Sequence, residues 1–185
     1  MDLTEHTLST EPVFDGALLH VRRDRVRTPG GGESVREWIE HPGAAAVVPL
    51  YADGTTVLIR QYRYPPRREF LEVPAGKLDP GETPETAAAR ELSEEVGLQA
   101  TRWTPLGPTY PGIGYSDEVI HLFLAEGIED ASGTTDDDEH VVPVRMPITE
   151  AVAMARRGDI ADGKTALALL LADAVLASRG AAEHP

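Results

Sequence analysis

The chain has 185 residues, 41% hydrophobic and 26% charged, which suits one domain with its own core and at most a small appendage. It has no cysteine, which excludes disulfides, thiolate catalysis and Cys-based zinc sites; its formal net charge of −14 argues against a general nucleic-acid binder, which needs clustered Lys and Arg facing phosphates. Met1 to Thr10 are polar and acidic rather than signal-like, and no apolar run approaches the roughly 20 residues that span a bilayer. A cytoplasmic protein with no membrane attachment is expected.

From Leu18 to Ile39, two segments rich in Val, Leu, Ile and Trp flank Thr28-Pro29-Gly30-Gly31-Gly32, the pattern of strand, turn and strand. Residues 1–42 are expected to form an N-terminal antiparallel β segment. Ala44 to Leu50 and Thr55 to Tyr62 bracket Asp53-Gly54, which favours the φ > 0 turn of a second hairpin. Phe70 to Val73, Arg102 to Leu106, Val119 to Ala125 and Val141 to Met146 are further short strands. The sharpest helix signals frame Pro84 to Val96: Thr83 can cap it, Pro84 sits where a missing N–H costs nothing, and Gly97 ends it. Thr149 is expected to cap a second helix ending near Gly158, and Lys164 to Ser178 is Ala/Leu-rich enough for a third. The fold class is α/β, a mixed sheet between helices, with the main domain at residues 43–180, an acidic loop from Asp130 to Glu139 and a frayed tail at 181–185.

Chemistry concentrates on the first helix. Glu91 and Glu95 are four residues apart and share one helix face, with Glu94 beside them, so their charges repel unless something positive intervenes. A lone Glu-x-x-x-Glu pair is usually a solvated surface. Here, however, Gly76, Glu82, Arg90, Glu91, Glu94, Glu95 and Gly97 together would coincide by chance on the order of once in 10⁸ trials at ordinary residue frequencies. The run from Gly76 to Leu98 resembles the Nudix box, Gly-x5-Glu-x7-Arg-Glu-apolar-x-Glu-Glu-x-Gly-apolar, at every defining position. The resemblance implies an α/β/α sandwich and hydrolysis of a nucleoside diphosphate linked to another group, with Mg²⁺ or Mn²⁺ held by Glu91, Glu95, Glu94 and the carbonyl of Ala75. It also implies that Arg90 orients a box glutamate and that Glu82 has a structural or supporting role.

The flanks speak to the substrate. Arg60-Gln61-Tyr62-Arg63-Tyr64-Pro65 and Glu69-Phe70-Leu71-Glu72-Val73-Pro74 resemble the segments that precede the box in ADP-ribose and ADP-sugar pyrophosphatases. That likeness implies Arg63 near the substrate phosphates or ribose and Glu72 accepting from a sugar hydroxyl. Tyr110 to Glu118 resembles the Pro-Gly loop of the same branch, which brings in Gly112 and Ser116 as substrate contacts, and Trp38 is a candidate to stack on adenine. A carboxylate saturated by metal keeps little basicity, so the general base is sought outside the helix. The acidic loop matches the family's late Glu-rich loop, with Asp137 at the place of the base, usually glutamate, and Glu139 at that of a late metal ligand. The expected reaction is hydrolysis of ADP-ribose to AMP and ribose 5-phosphate by a homodimer. The alternatives are another substrate, such as ADP-glucose, GDP-mannose, NADH or FAD, and a sensor that binds ADP-ribose without cutting it.

Overall fold

In chain order the elements are β1 (His6–Asp15), β2 (His20–Arg27), β3 (Glu33–Glu40), β4 (Ala44–Leu50), β5 (Thr55–Arg63), β6 (Arg68–Glu72), β7 (Ala75–Lys77), α1 (Pro84–Val96), β8 (Leu98–Thr109), β9 (Ile120–Asp130), β10 (Val141–Pro147), α2 (Ile148–Arg157) and α3 (Gly163–Ala182). The structure is a computed structural model and describes residues 1–131 and 140–182, with side chains as far as residue 180. It divides into two compact units, one made of Met1–Gly43 with Tyr110–Val119, the other of Ala44–Thr109 with Ile120 onward.

The first unit is an antiparallel sheet in the order β1-β2-β3. The hairpin expected between Leu18 and Ile39 is present as β2 and β3, and its turn closes with Thr28 N–H donating to Gly32 O at 2.8 Å. Strand β1 was not expected. It is exposed at every position, so it carries no alternation of buried and exposed residues to betray it. Rows of cross-strand ion pairs mark this sheet: Arg22 with Glu40, Arg25 with Glu33, and Arg23 with both Glu37 and Glu11. Solvent screening leaves each such exposed pair little to contribute to stability. The Tyr110–Val119 segment fastens onto the end of β3, with Ile39 N–H donating to Tyr115 O at 2.8 Å and His41 N–H to Asp117 Oδ1 at 2.8 Å.

The second unit holds a seven-stranded sheet with the path β10-β5-β4-β9-β8; β6 adds to β5 and β7 to β4. Strand β4 runs parallel to β9 and antiparallel to β7, so the sheet is mixed, as expected. Its six consecutive buried residues suit a central strand covered on both faces. Ala44, Ala46 and Val48 pack with Ile148, Ala151, Val152, Ala168, Leu169 and Ala172 of α2 and α3, while Ala45 and Val47 pack with Ala87, Ala88 and Leu92 of α1. Alternate side chains of one strand thus serve two cores, and the unit is an α/β/α sandwich.

Three local expectations need correction. The second hairpin is present, with β4 antiparallel to β5 and Gly54 at φ 79°, but it is shorter than expected: the strands share only the Leu50–Thr56 register pair, and β7 takes β4 at Ala44–Ala46. Thr149 does not cap α2, which starts one residue earlier at Ile148 after Pro147 and has no side-chain cap. Helix α3 extends past Ser178 to Ala182, where a frayed tail was expected; 183–185 lie outside the described residues. Among the described residues, no helix is long and apolar enough to cross a membrane.

Candidate active site

The box forms a short strand, a turn and a helix. Helix α1 has the boundaries read from its sequence: Thr83 Oγ1 accepts from Thr86 N–H at 3.2 Å, and Gly97 leaves in the left-handed conformation at φ 67°. In the turn before it, Gly81 stands at φ 82°, and Glu82 Oε2 accepts from Asp79 N–H at 3.0 Å. Glu91 and Glu95 are buried, at 7% and 4% exposure, on the side of α1 that faces β7. The box glycine has a steric reason: a Cβ at Gly76 would lie 1.9 Å from Glu91 Oε1, so only a glycine leaves space for that carboxylate. One residue earlier, Ala75 N–H donates to Glu95 Oε2 at 2.9 Å, which brings the Ala75 peptide beside the box carboxylates.

Arg90 binds this group together. Its Nε and Nη2 each donate at 3.1 Å to Glu82, Nη1 donates to Glu91 Oε1 at 2.7 Å and Glu94 Oε2 at 2.9 Å, and Nη2 also reaches Lys77 O at 2.9 Å. The Glu82 bonds, with those of Glu94 and Glu91, outweigh the cost of burial and hold the guanidinium proton more firmly than in an ordinary arginine. In return Arg90 holds the Glu82 carboxyl below the usual carboxylate range. One guanidinium therefore hydrogen-bonds three carboxylates, lies 3.9 Å from a fourth, that of Asp79, and leaves the group net negative.

A second cluster lies where β5 and β6 meet the start of α3. Arg63 grips Glu72 side-on, Nε to Oε1 at 2.7 Å and Nη2 to Oε2 at 2.8 Å. Glu72 is 2% exposed, and its Oε2 also accepts from Lys164 Nζ. Burial pushes the Glu72 carboxyl up, but the Arg63 fork and the Lys164 ammonium outweigh it and leave it below its ordinary value. Arg63 gains proton affinity first from Glu72 and, at longer range, from Glu95 and Asp162, so this cluster borders the box. Lys164 Nζ also donates to Asp162 Oδ2 at 2.9 Å, and Thr165 Oγ1 donates to that same carboxylate oxygen while accepting from Val73 N–H at 2.9 Å.

The sequence-predicted residues therefore distribute as follows. Ala75, Arg90, Glu91, Glu94 and Glu95 come together around α1, and Arg63 and Glu72 form a pair within the same unit. Trp38, Gly112 and Ser116 belong to the first unit: Trp38 is half-buried opposite Arg22, Gly112 packs against the Tyr115 ring, and Ser116 Oγ donates to Ile39 O at 3.2 Å. Asp137 and Glu139 lie outside the described residues. Lys164 and Asp162 were missed; the Asp-x-x-Thr start of α3 reads as a helix cap, but nothing local ties it to Glu72, 92 residues away.

Among the described residues, no three His, Cys, Asp or Glu side chains form a ready-made cage for a metal ion. The donors present are hard oxygens, the Glu91 and Glu95 carboxylates over a glycine-sized gap with the Ala75 peptide alongside. That set fits a hard divalent cation that keeps part of its water shell, as Mg²⁺ does, rather than zinc.

The comparisons with known proteins agree with this geometry. The NUDIX domain model matches residues 40–169, and that of the nucleoside diphosphate sugar hydrolase N-terminal domain matches residues 5–39. An ADP-ribose pyrophosphatase of Bacillus subtilis is 36% identical over 90% of this chain and 91% of its own length, and one of Mycobacterium tuberculosis is 39% identical over 94% and 86%. A solved structure described as an ADP compounds hydrolase superposes with a TM-score of 0.84 at 26% identity, covering 97% of this chain and 98% of its own. With the box assembled on α1 and the family model spanning most of its length, this chain belongs to the Nudix hydrolases.

Proposed function

We propose that the protein hydrolyses the diphosphate bond of ADP-ribose to AMP and ribose 5-phosphate and depends on a divalent cation, Mg²⁺ or Mn²⁺. The observation that carries the proposal is the buried Glu91 and Glu95 pair on α1, packed over Gly76 and joined to Glu94 through Arg90. Burying carboxylates is costly unless charge or hydrogen bonds compensate, and a site made this way is suited to a cation. Glu91, Glu95, Glu94 and the Ala75 carbonyl would hold it, with Glu139 as a further ligand. When bound, the cation supplies Lewis acidity toward the diphosphate oxygens and lowers the pKa of bound water.

The chain's own residues do the rest. Arg90 keeps Glu91 and Glu94 at fixed separation, so little reorganisation is needed when substrate arrives. Arg63, its Nη1 end turned away from Glu72 by the side-on grip, offers donors to a phosphate oxygen. Asp137 takes the proton of the attacking water, whose oxygen bonds to phosphorus as the bridging oxygen leaves with the other phosphate. Two relatives named ADP-ribose pyrophosphatase, at 36% and 39% identity over 90% and 94% of this chain, support ADP-ribose, and a GDP-mannose pyrophosphatase at 38% over 74% of it makes that sugar the alternative. Trp38, Gly112 and Ser116 are proposed as substrate contacts.

We also propose a homodimer. Strand β1 is exposed throughout, with apolar Val13 at 46% and Phe14 at 56%, whereas Asp24 and Val26 of the neighbouring β2 are buried, and a second copy is the proposed cover for β1. Sedimentation that finds only monomer at micromolar concentration contradicts this part. For the reaction, ADP-ribose, ADP-glucose, GDP-mannose and NADH are assayed with Mg²⁺ and then Mn²⁺. ADP-ribose is expected to show the highest kcat/KM, a preference for another member reassigns the substrate, and binding without turnover supports a sensor.

A further inference from the structure

Lys164 has no place in the box or its flanks, yet it is drawn into the interior. Its side chain is 15% exposed and its ammonium lies between Glu72 and Asp162. A lysine loses rotamer freedom and hydration when held this way, so the site must return something for it. Glu72 is the shared element. Its Oε1 is taken by Arg63 alone, whereas Oε2 is shared between Arg63 Nη2 and Lys164 Nζ. Lys164 is in turn fixed by Asp162, whose Oδ2 also accepts from the N–H of Thr165 at 3.0 Å. Thr165 completes the latch by accepting from Val73 N–H, the backbone link between Glu72 and the box.

We infer that Lys164 is a positioning residue for substrate binding, acting through Glu72 on Arg63. The side chain of Glu72 is only 3% exposed, so water does not set the rotation of its carboxylate. Lys164 sets it from one side, and the plane so fixed aims the fork of Arg63, a side chain 41% exposed and otherwise able to swing. The same arrangement places two cations on one carboxylate, which leaves positive charge at the Arg63 end for a diphosphate while Asp162 neutralises the far side. The inference rests on the reading of Arg63 as a diphosphate contact, and the test separates the two.

Steady-state kinetics with ADP-ribose are measured for the wild type, Lys164→Met, Arg63→Ala and the double variant, with thermal midpoints alongside. Lys164→Met is expected to raise KM about tenfold with kcat within about twofold, and to add less than about twofold in the Arg63→Ala background. Should the methionine variant not fold, Lys164→Gln replaces it with the same rise in KM expected, since its shorter, neutral side chain stays polar in that site but withdraws the cation from Glu72. An unchanged KM in Lys164→Met, or an equal rise with and without Arg63, overturns the inference and leaves the Arg63 reading standing. An unchanged KM in Arg63→Ala removes the Arg63 reading, and the role of Lys164 falls with it.

Discussion

The two arginine-centred clusters of the second unit are built from the same parts in opposite proportions. Around Arg90 one cation meets four carboxylates, Glu82, Glu91 and Glu94 through hydrogen bonds and Asp79 at 3.9 Å, with Glu95 a turn of helix from Glu91. Around Glu72 two cations, Arg63 and Lys164, share one carboxylate, and Asp162 brings the group only to neutrality. The difference is a division of labour. The first cluster retains negative charge and suits a divalent cation, whereas the second satisfies its own charge and can present the outward end of a guanidinium to an anion. Under the proposed function, these two balances would let an acidic protein of net charge −14 hold both a cation and a doubly anionic substrate.

The contrast can be broken from either side. Glu95→Gln is expected to lower kcat by roughly 10³-fold or more while leaving the melting midpoint nearly unchanged, because it removes charge but keeps an oxygen for the Ala75 amide. Near wild-type turnover would remove Glu95 from the metal site. Gly76→Ala comes next: the new Cβ must displace the Glu91 carboxylate, so cation affinity measured by calorimetry should drop together with about 1–3 kcal/mol of stability. Tight cation binding in that variant would show that Glu91 does not need its gap. Arg90→Met leaves three carboxylates without their shared donor and should weaken the cation at least tenfold, read as a shift in the metal dependence of kcat.

Glu126 supplies the control. It sits between Arg102 and Arg179 with the same two-to-one charge pattern as Glu72, but it ties α3 to β8 and β9. Burial raises its carboxyl and the two arginines lower it further, so its folded value lies below the ordinary one. A depressed carboxylate adds stability above its unfolded pKa and loses it as pH falls through the folded pKa. Glu126→Gln should therefore cost about 1 kcal/mol at pH 7, read by denaturant melts, with the gap to wild type closing as acid is added and KM unaffected. A gap that widens in acid would reverse the assigned sign.

Much of this arrangement is legible in the sequence because its signals are local. Thr83, Pro84 and Gly97 delimit α1 by capping chemistry that acts over a few residues, and the four-residue spacing puts Glu91 and Glu95 on one face wherever the helix lies. Long-range facts are the ones that escape. Lys164 reaches Glu72 across 92 residues, and no spacing rule connects them. Strand β1 escapes for a different reason, since a strand exposed on both faces has no hydrophobic period. The Asp53-Gly54 turn brings β5 antiparallel beside β4 as its chemistry dictates, but turn chemistry does not fix how far the pairing runs, and β7 takes β4 at Ala44–Ala46. Gly76 was legible as part of a motif, but the reason for it, space for the Glu91 carboxylate, needs coordinates.

The proposed reaction is cation-dependent scission of ADP-ribose at the site on α1. Its most direct test is product analysis by anion-exchange chromatography after incubating the protein with ADP-ribose, with Mg²⁺ or Mn²⁺ and again in excess chelator. AMP and ribose 5-phosphate are expected in equal amounts with either metal, with none in chelator and recovery when metal is restored. Continued cleavage in chelator, or ADP-ribose left intact with both metals, would contradict it.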